Sequence, residues 1–389
     1  MSARRIGAAT LLVIGTLLWS AAIFGVWAQR QALSTDNWVS TSDRLLENPR
    51  IRNALAVALV DRLYDTNSVE ERLRQSLPPR LDPLAAPAAS GLREVALRNA
   101  PRVLGTDAAL QAWEAANRGA HTAFLALVDG RVASGGQVTL DVENLVRRVA
   151  TSTGLPAGVA DKLPPNVARL QILKSDQLAT VQDAVALFRD AVWFLIIAAV
   201  AAFAGAIALS GNRRHSVVTV GLCVMIASLL VLAVRRAAGV AVIDSLANAP
   251  NAHAVAGDIW NIATSLLVEA AQGSFLFGAL VASAAWVAGP GRVATAVRRV
   301  NAPPLRERVA VTRAGLAVAL LLLVWWSPVP WTQRALPVLI VAVAAFVWLE
   351  WLRRRSAVEF ADVRPGELGR TLRTRDWFAR SRPDDTAHA

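Results

Sequence analysis

The spacing of uncharged stretches constrains this chain more than any other feature. A run of 23 residues without a charge, 6–28, follows Arg4 and Arg5. About 160 water-compatible residues come next, and a second uncharged run, 191–210, opens an apolar C-terminal half. At about 1.5 Å per residue, either run crosses a hydrocarbon layer about 30 Å thick as an α-helix. Further apolar runs at 216–234, 270–288, 309–326 and 335–352 bring the expected number of spans to six. Arg313 and Glu350 fall near the ends of the last two, where snorkelling makes a charge tolerable.

The expected fold is an all-α polytopic membrane protein. Six transmembrane helices carry a mainly α-helical extracytoplasmic domain, with a small two-stranded β element, between helices 1 and 2. Residues 1–5 form the N-terminus, 29–190 the domain and 353–389 a basic tail. Composition agrees. With 54% hydrophobic residues and a mean hydropathy of +0.40, the chain is too apolar for one ordinary soluble domain. Its 18% of charged residues must therefore be segregated.

They are. Residues 1–5 carry +2, 211–215 carry +2, 290–313 carry +5 and 353–389 carry +3, which together equal the whole net charge of +12. Segment 29–190 is nearly balanced, with 19 basic and 18 acidic residues. Six spans with both termini in the cytoplasm put every basic segment inside, as the positive-inside bias requires. Five or seven would strand one outside. Of the 13 tryptophans, Trp27, Trp193, Trp286, Trp325, Trp326, Trp348 and Trp351 fall near span ends, the interfacial position. The first run is longer than a signal-peptide core and carries Trp19 and Trp27, so it reads as a retained anchor.

Lysine occurs only at Lys162 and Lys174, which with abundant alanine reflects a high-GC coding habit rather than nucleic-acid recognition. The basic loop from Gly291 to Arg308 has no aromatic residue to stack on bases, so no nucleic-acid partner is expected. Its arginines are expected to meet anionic lipid headgroups, at about 1 kcal/mol each. Cys223 is the single cysteine and lies in an apolar run, which excludes an internal disulfide.

Within 29–190, Asn48 and Pro49 read as an N-cap followed by proline at the first helical position. Pro78, Pro79 and Pro83 break the chain before a helix near 84–103. Thr106 or Asp107 caps a helix to about Val128. Residues 138–142 and 167–174 alternate like short strands, with a helix at 143–152 between them. Leu178, Val181, Val185, Phe188 and Val192 then repeat at 3, 4, 3, 4 spacing, with Ser175 placed as an N-cap. No Gly or Pro separates this stripe from the second span. One helix of roughly 50 Å is expected over 176–210, with 176–190 as a stalk.

No catalytic signature is present: no nucleophile elbow, Walker loop, zincin motif or dinucleotide fingerprint. His121, His215, His253 and His388 are scattered, so no metal, cofactor or enzymatic activity is expected. Trp113, Asn117 and His121, with Arg118 beside them, share one helix face at i, i+4, i+8. That face reads either as a small-ligand or peptide contact or as a packing surface whose polar tips satisfy buried groups. Arg235 and Arg236 sit at the outer end of the third span. They could meet lipid phosphates, pair with Asp244, Asp258 or Glu269, or snorkel. The spans carry no ionisable group near their middles, which weakens a transporter reading.

Thr35 to Val39, Leu45 to Arg52, the Trp113–His121 face, Val138 to Val142, Ala288 to Arg292 and Val358 to Phe360 occur in that order. In this the chain resembles a family of uncharacterised integral membrane proteins of high-GC Gram-positive (actinobacterial) bacteria, which has no established activity. The resemblance implies a bacterial plasma-membrane location and an extracytoplasmic first loop. The expected function is a membrane-anchored domain that binds or scaffolds a cell-envelope component, with lipid and an envelope protein as partners. The alternative is a transporter or channel-like subunit with the domain as cap or gate.

Overall fold

The computed structural model describes residues 3–67, 69–76, 78, 83–130, 137–141, 169–246, 250–291, 294–295, 299, 309–326 and 335–359. The N-terminal part contains α1 (Ala3–Ala32), α2 (Thr35–Glu47), α3 (Pro49–Asn67), α4 (Val69–Ser76), α5 (Ala85–Leu104) and α6 (Asp107–Val128). Strands β1 (Gln137–Asp141) and β2 (Arg169–Lys174) follow. Then come α7 (Ser175–Leu209), α8 (Arg213–Leu246), α9 (Pro250–Ala263), α10 (Ser265–Val287), α11 (Val309–Trp326) and α12 (Ala335–Glu359). Among the described residues, α1, Ala179–Leu209 of α7, Arg213–Ser245 of α8 and α10 are long and apolar enough to cross a membrane. The chain is an α-helical membrane protein.

Two compact units divide it. One comprises Met1–Leu17, Ala199–Leu229 and Ala271–Ala389. Its helices meet through small residues, because lipid removes the hydrophobic drive for association and leaves close packing to supply it. A Cβ on Gly15 would stand 2.7 Å from the Phe203 ring, and one on Gly205 would stand 3.2 Å from Leu11. The tightest approach joins α8 to α10. A Cβ on Gly221 would lie 2.7 Å from both the Gly278 carbonyl oxygen and the Ala282 nitrogen. Arg313 of α11 meets Glu350 of α12 at 3.3 Å, and Arg353 and Arg354 add to the same carboxylate. The two charges expected to snorkel separately therefore neutralise each other.

The other unit comprises Leu18–Ala198 and Leu230–Ala270. Helix α2 packs on α6 and α3, α3 packs on α5, and α9 lies against α3 and α2. Val39 and Leu46 of α2 are buried at 2% and 1% exposure, while Trp38 of the same helix stays exposed. Ser34 caps α2 through Asn37 N–H, and Thr106 caps α6 through Ala109 N–H. Asn48 caps α3: its side-chain oxygen accepts from Arg50 N at 2.9 Å and Ile51 N at 3.3 Å. Pro49 then occupies the first helical position, where its missing N–H costs nothing.

Helix α7 is unbroken over 35 residues, about 52 Å. Polar residues fasten its first half. Gln182 donates to the Leu127 carbonyl at 2.7 Å, and Arg189 meets Asp129 at 2.9 Å. Of the anticipated apolar stripe, Val192 is buried, Val181 and Val185 are half-buried, and Phe188 is exposed. Strands β1 and β2 pair antiparallel, with an irregularity between Val138 and Thr139.

Several boundaries differ from the sequence reading. Helix α1 runs on to Ala32, α8 to Leu246 and α12 to Glu359, each past its apolar run. A helix need not stop where hydrocarbon stops, provided its next turns find partners. Residues 353–359 are thus helical rather than free tail, and i+3 and i+4 contacts to Glu350 help extend the helix. Ser175 is the first residue of α7 rather than its cap. The expected helix at 143–152 and the basic stretch 301–308 lie outside the described residues.

Candidate functional site

The Trp113–His121 face of α6 is turned toward α2. Trp113 Nε1 donates to the Ser42 carbonyl at 3.2 Å. Asn117 donates to the Trp113 carbonyl, one turn back on its own helix. His121 is only 5% exposed and stacks on Trp38, with ring centroids 5.1 Å apart. Its Nε2 lies 3.1 Å from the Ala32 carbonyl and its Nδ1 3.1 Å from the Thr35 hydroxyl. A carbonyl only accepts, so Nε2 carries a proton, and in the neutral ring Nδ1 accepts from Thr35. Arg118 reaches Asp36 at 2.9 Å and Glu114 at 3.3 Å. These bonds hold its guanidinium still more firmly protonated than usual. The face therefore lies between two helices of the same unit.

Beside it, Asp43 is set against its environment. Burial pushes its carboxyl above the ordinary range, Glu114 and Glu47 push it further, and Arg118 opposes them.

The second set, around Arg235, is arranged differently from expectation. Arg235 Nε donates to the Thr264 hydroxyl at 2.7 Å, and its Nη2 donates to Asn261 Oδ1 at 2.9 Å. Both of these partners are uncharged, unlike Asp244, Asp258 and Glu269, with which pairing was one of three alternatives. Arg236 is exposed. Asp244 lies 3.7 Å from His253 Nε2. Asp258 accepts from Asn48 at 3.2 Å and meets Arg50 at 3.5 Å. Glu269 is half-buried near the start of α10.

These polar pairs frame an open apolar groove of about 430 Å³, a volume in the range of small-molecule sites. One wall is the stripe Ala252, Val255, Ala256, Ile259, Trp260 and Ala263 of α9. Val242 of α8 and Ala54 of α3 complete it. The alanines make the groove: at four lining positions a larger side chain would fill it. Gly239 makes room for the indole of Trp260, since a Cβ there would stand 2.6 Å from Trp260 Nε1. Among the described residues lining the groove there is no nucleophile, acid or base. Among the described residues, no group of three or more His, Cys, Asp and Glu is placed to hold a metal ion.

Sequence reasoning missed the groove. Its signal was present in the i, i+3, i+4, i+7 stripe of α9, but which part of that stripe stays uncovered depends on Ala54 and Val242, far away in the chain. The chain matches no family model, no curated protein and no solved structure.

Proposed function

We propose that this protein spans a bacterial plasma membrane six times with both termini in the cytoplasm. Its segment 29–190 then forms an extracytoplasmic domain, helical apart from a two-stranded β element, that binds or scaffolds another envelope component. The observation that carries this reading is α7. One uninterrupted helix joins a polar half, held to α6 by Gln182 and Arg189, to an apolar half long enough to cross the bilayer. The distribution of arginine supports the orientation, and α11 and α12 supply the fifth and sixth spans.

A transporter or channel-like subunit would ask Arg235, Asp244 and Glu269 to line one polar groove between spans. Arg235 instead satisfies itself on Thr264 and Asn261, Asp244 faces His253, and the groove nearby is apolar. Binding at the membrane surface is the better-supported role.

The test is photo-cross-linking in intact cells from a probe at Leu92, an exposed position of α5. A discrete adduct with an envelope component, absent when the probe sits at Arg355 in the last turns of α12, is the expected result. A domain that yields no adduct from any exposed helix face would overturn the binding role.

A further inference from the structure

The apolar groove has a direction. The stripe from Ala263 back to Ala252 climbs eleven residues of α9, about 16 Å. Its lower end adjoins Thr264, whose hydroxyl receives the Arg235 guanidinium. Arg235 is in turn the first charge on α8 after the uncharged residues 216–234, a length of about 28 Å. The groove therefore opens where α8 leaves the hydrocarbon and runs away from the bilayer. Its walls are apolar along its length, and Val242 and Ile259 are exposed there. At its mouth stands the Arg235 guanidinium. Both described partners of Arg235 are uncharged, and Arg236, the next residue of α8, is exposed.

We propose that this groove holds one acyl chain of a bilayer phospholipid, whose phosphate sits on Arg235 and Arg236. The inference rests on the membrane placement given above. Three features select the occupant. The groove is continuous with the membrane surface, so a chain enters it from hydrocarbon without crossing water. Its walls suit an alkyl chain, whereas a polar ligand would find nothing there to bond. Guanidinium forks match phosphate oxygens, and the cationic mouth faces the headgroup layer. Moving an alkyl chain from one apolar environment to another changes its own energy little, while it removes the exposed groove walls from water.

The experiment reconstitutes the full chain in liposomes of phosphatidylcholine doped with phosphatidylglycerol that carries a diazirine on one acyl chain. A parallel sample carries the same diazirine chain on diacylglycerol, which lacks the phosphate. Illumination followed by peptide mapping is expected to place phosphatidylglycerol adducts on residues 252–263 of α9, several-fold above diacylglycerol. Ala256→Leu, which fills the groove from a half-buried position, is expected to remove those adducts, as is Ala54→Leu from the opposite wall. Arg236→Gln is expected to lower the phosphatidylglycerol preference severalfold without changing thermal stability. Adducts confined to the spans, adducts indifferent to both groove-filling variants, or equal labelling by the two lipids would each overturn the proposal. Both leaflets carry the probe, so this readout does not depend on which way the domain faces. Thiol labelling of Gly91→Cys from outside intact cells reports that orientation separately.

Discussion

Asn48 donates its side-chain amide to Asp258, 3.2 Å away, across 210 positions of sequence. The same side chain caps α3 through its oxygen, so one asparagine both starts a helix and holds α9 to it. Asn48→Ala removes the cap and the bond together and is expected to cost about 2 kcal/mol. Asp258→Ala leaves the cap and loses only the partly exposed contacts to Asn48 and Arg50, about 1 kcal/mol. Thermal unfolding in detergent should rank them in that order; equal losses would mean that the cap contributes nothing.

His121 makes a sharper case because both ring nitrogens are committed. Thr35→Val keeps the shape of the side chain and deletes the hydroxyl that donates to Nδ1. A buried acceptor without a partner costs about 1–3 kcal/mol, whereas Thr35→Ser should cost well under 1. Measured unfolding free energies that do not separate the two would contradict the assigned tautomer.

The Asp43 carboxyl gives a pH signature. Its ionisation is disfavoured in the fold, chiefly by burial and then by Glu114 and Glu47. A group raised in this way contributes stability that is fully present below its unfolded pKa, and that contribution is lost as pH rises through the folded value. Asp43→Asn stays neutral throughout. It should therefore raise the melting temperature relative to wild type at pH 7, and the gain should shrink away below about pH 4, where an ordinary aspartate is itself protonated. A variant less stable than wild type at pH 7 would show that Asp43 makes a contact worth more than its repulsions.

Gly221 carries the α8–α10 crossing. The atoms a Cβ would strike are the backbone of Gly278 and Ala282, which cannot swing aside. Gly221→Ala is expected to cost about 1–3 kcal/mol, and Gly221→Leu more. Gly91, where a Cβ meets open space, is the control and should tolerate alanine with no loss. Detergent melting curves compare them directly; a silent Gly221→Ala would mean the helices are not in contact there.

What could be read from the sequence divides along a physical line. Local signals were legible: the Asn48 cap with Pro49 behind it, the Thr106 cap of α6, and the continuity of α7, which follows from periodicity without a breaker. Helix α2 escaped because Val39 and Leu46 are sparse among polar neighbours, although Ser34 followed by Asp36 was a usable start signal. Partner choice was not legible. Arg235 had three acids within reach in sequence and bonds Thr264 and Asn261, because the chain returns beside α8 with Asn261 of α9 and Thr264 just after it facing Arg235. Periodicity marks the apolar face of the stalk, but the polar contacts of Gln182 and Arg189 beside it depend on α6 and could not be read locally. The groove is wholly a tertiary property of three helices.

Segment 29–190 is proposed to lie outside the cell. In a Cys223→Ser background, Gly91→Cys and Ser327→Cys place single thiols in α5 and in the segment between α11 and α12. A membrane-impermeant maleimide applied to intact cells should label both, and a thiol at Ala389→Cys should react only after the membrane is opened. Labelling of Gly91→Cys that appears only after permeabilisation would place the domain in the cytoplasm and contradict the account.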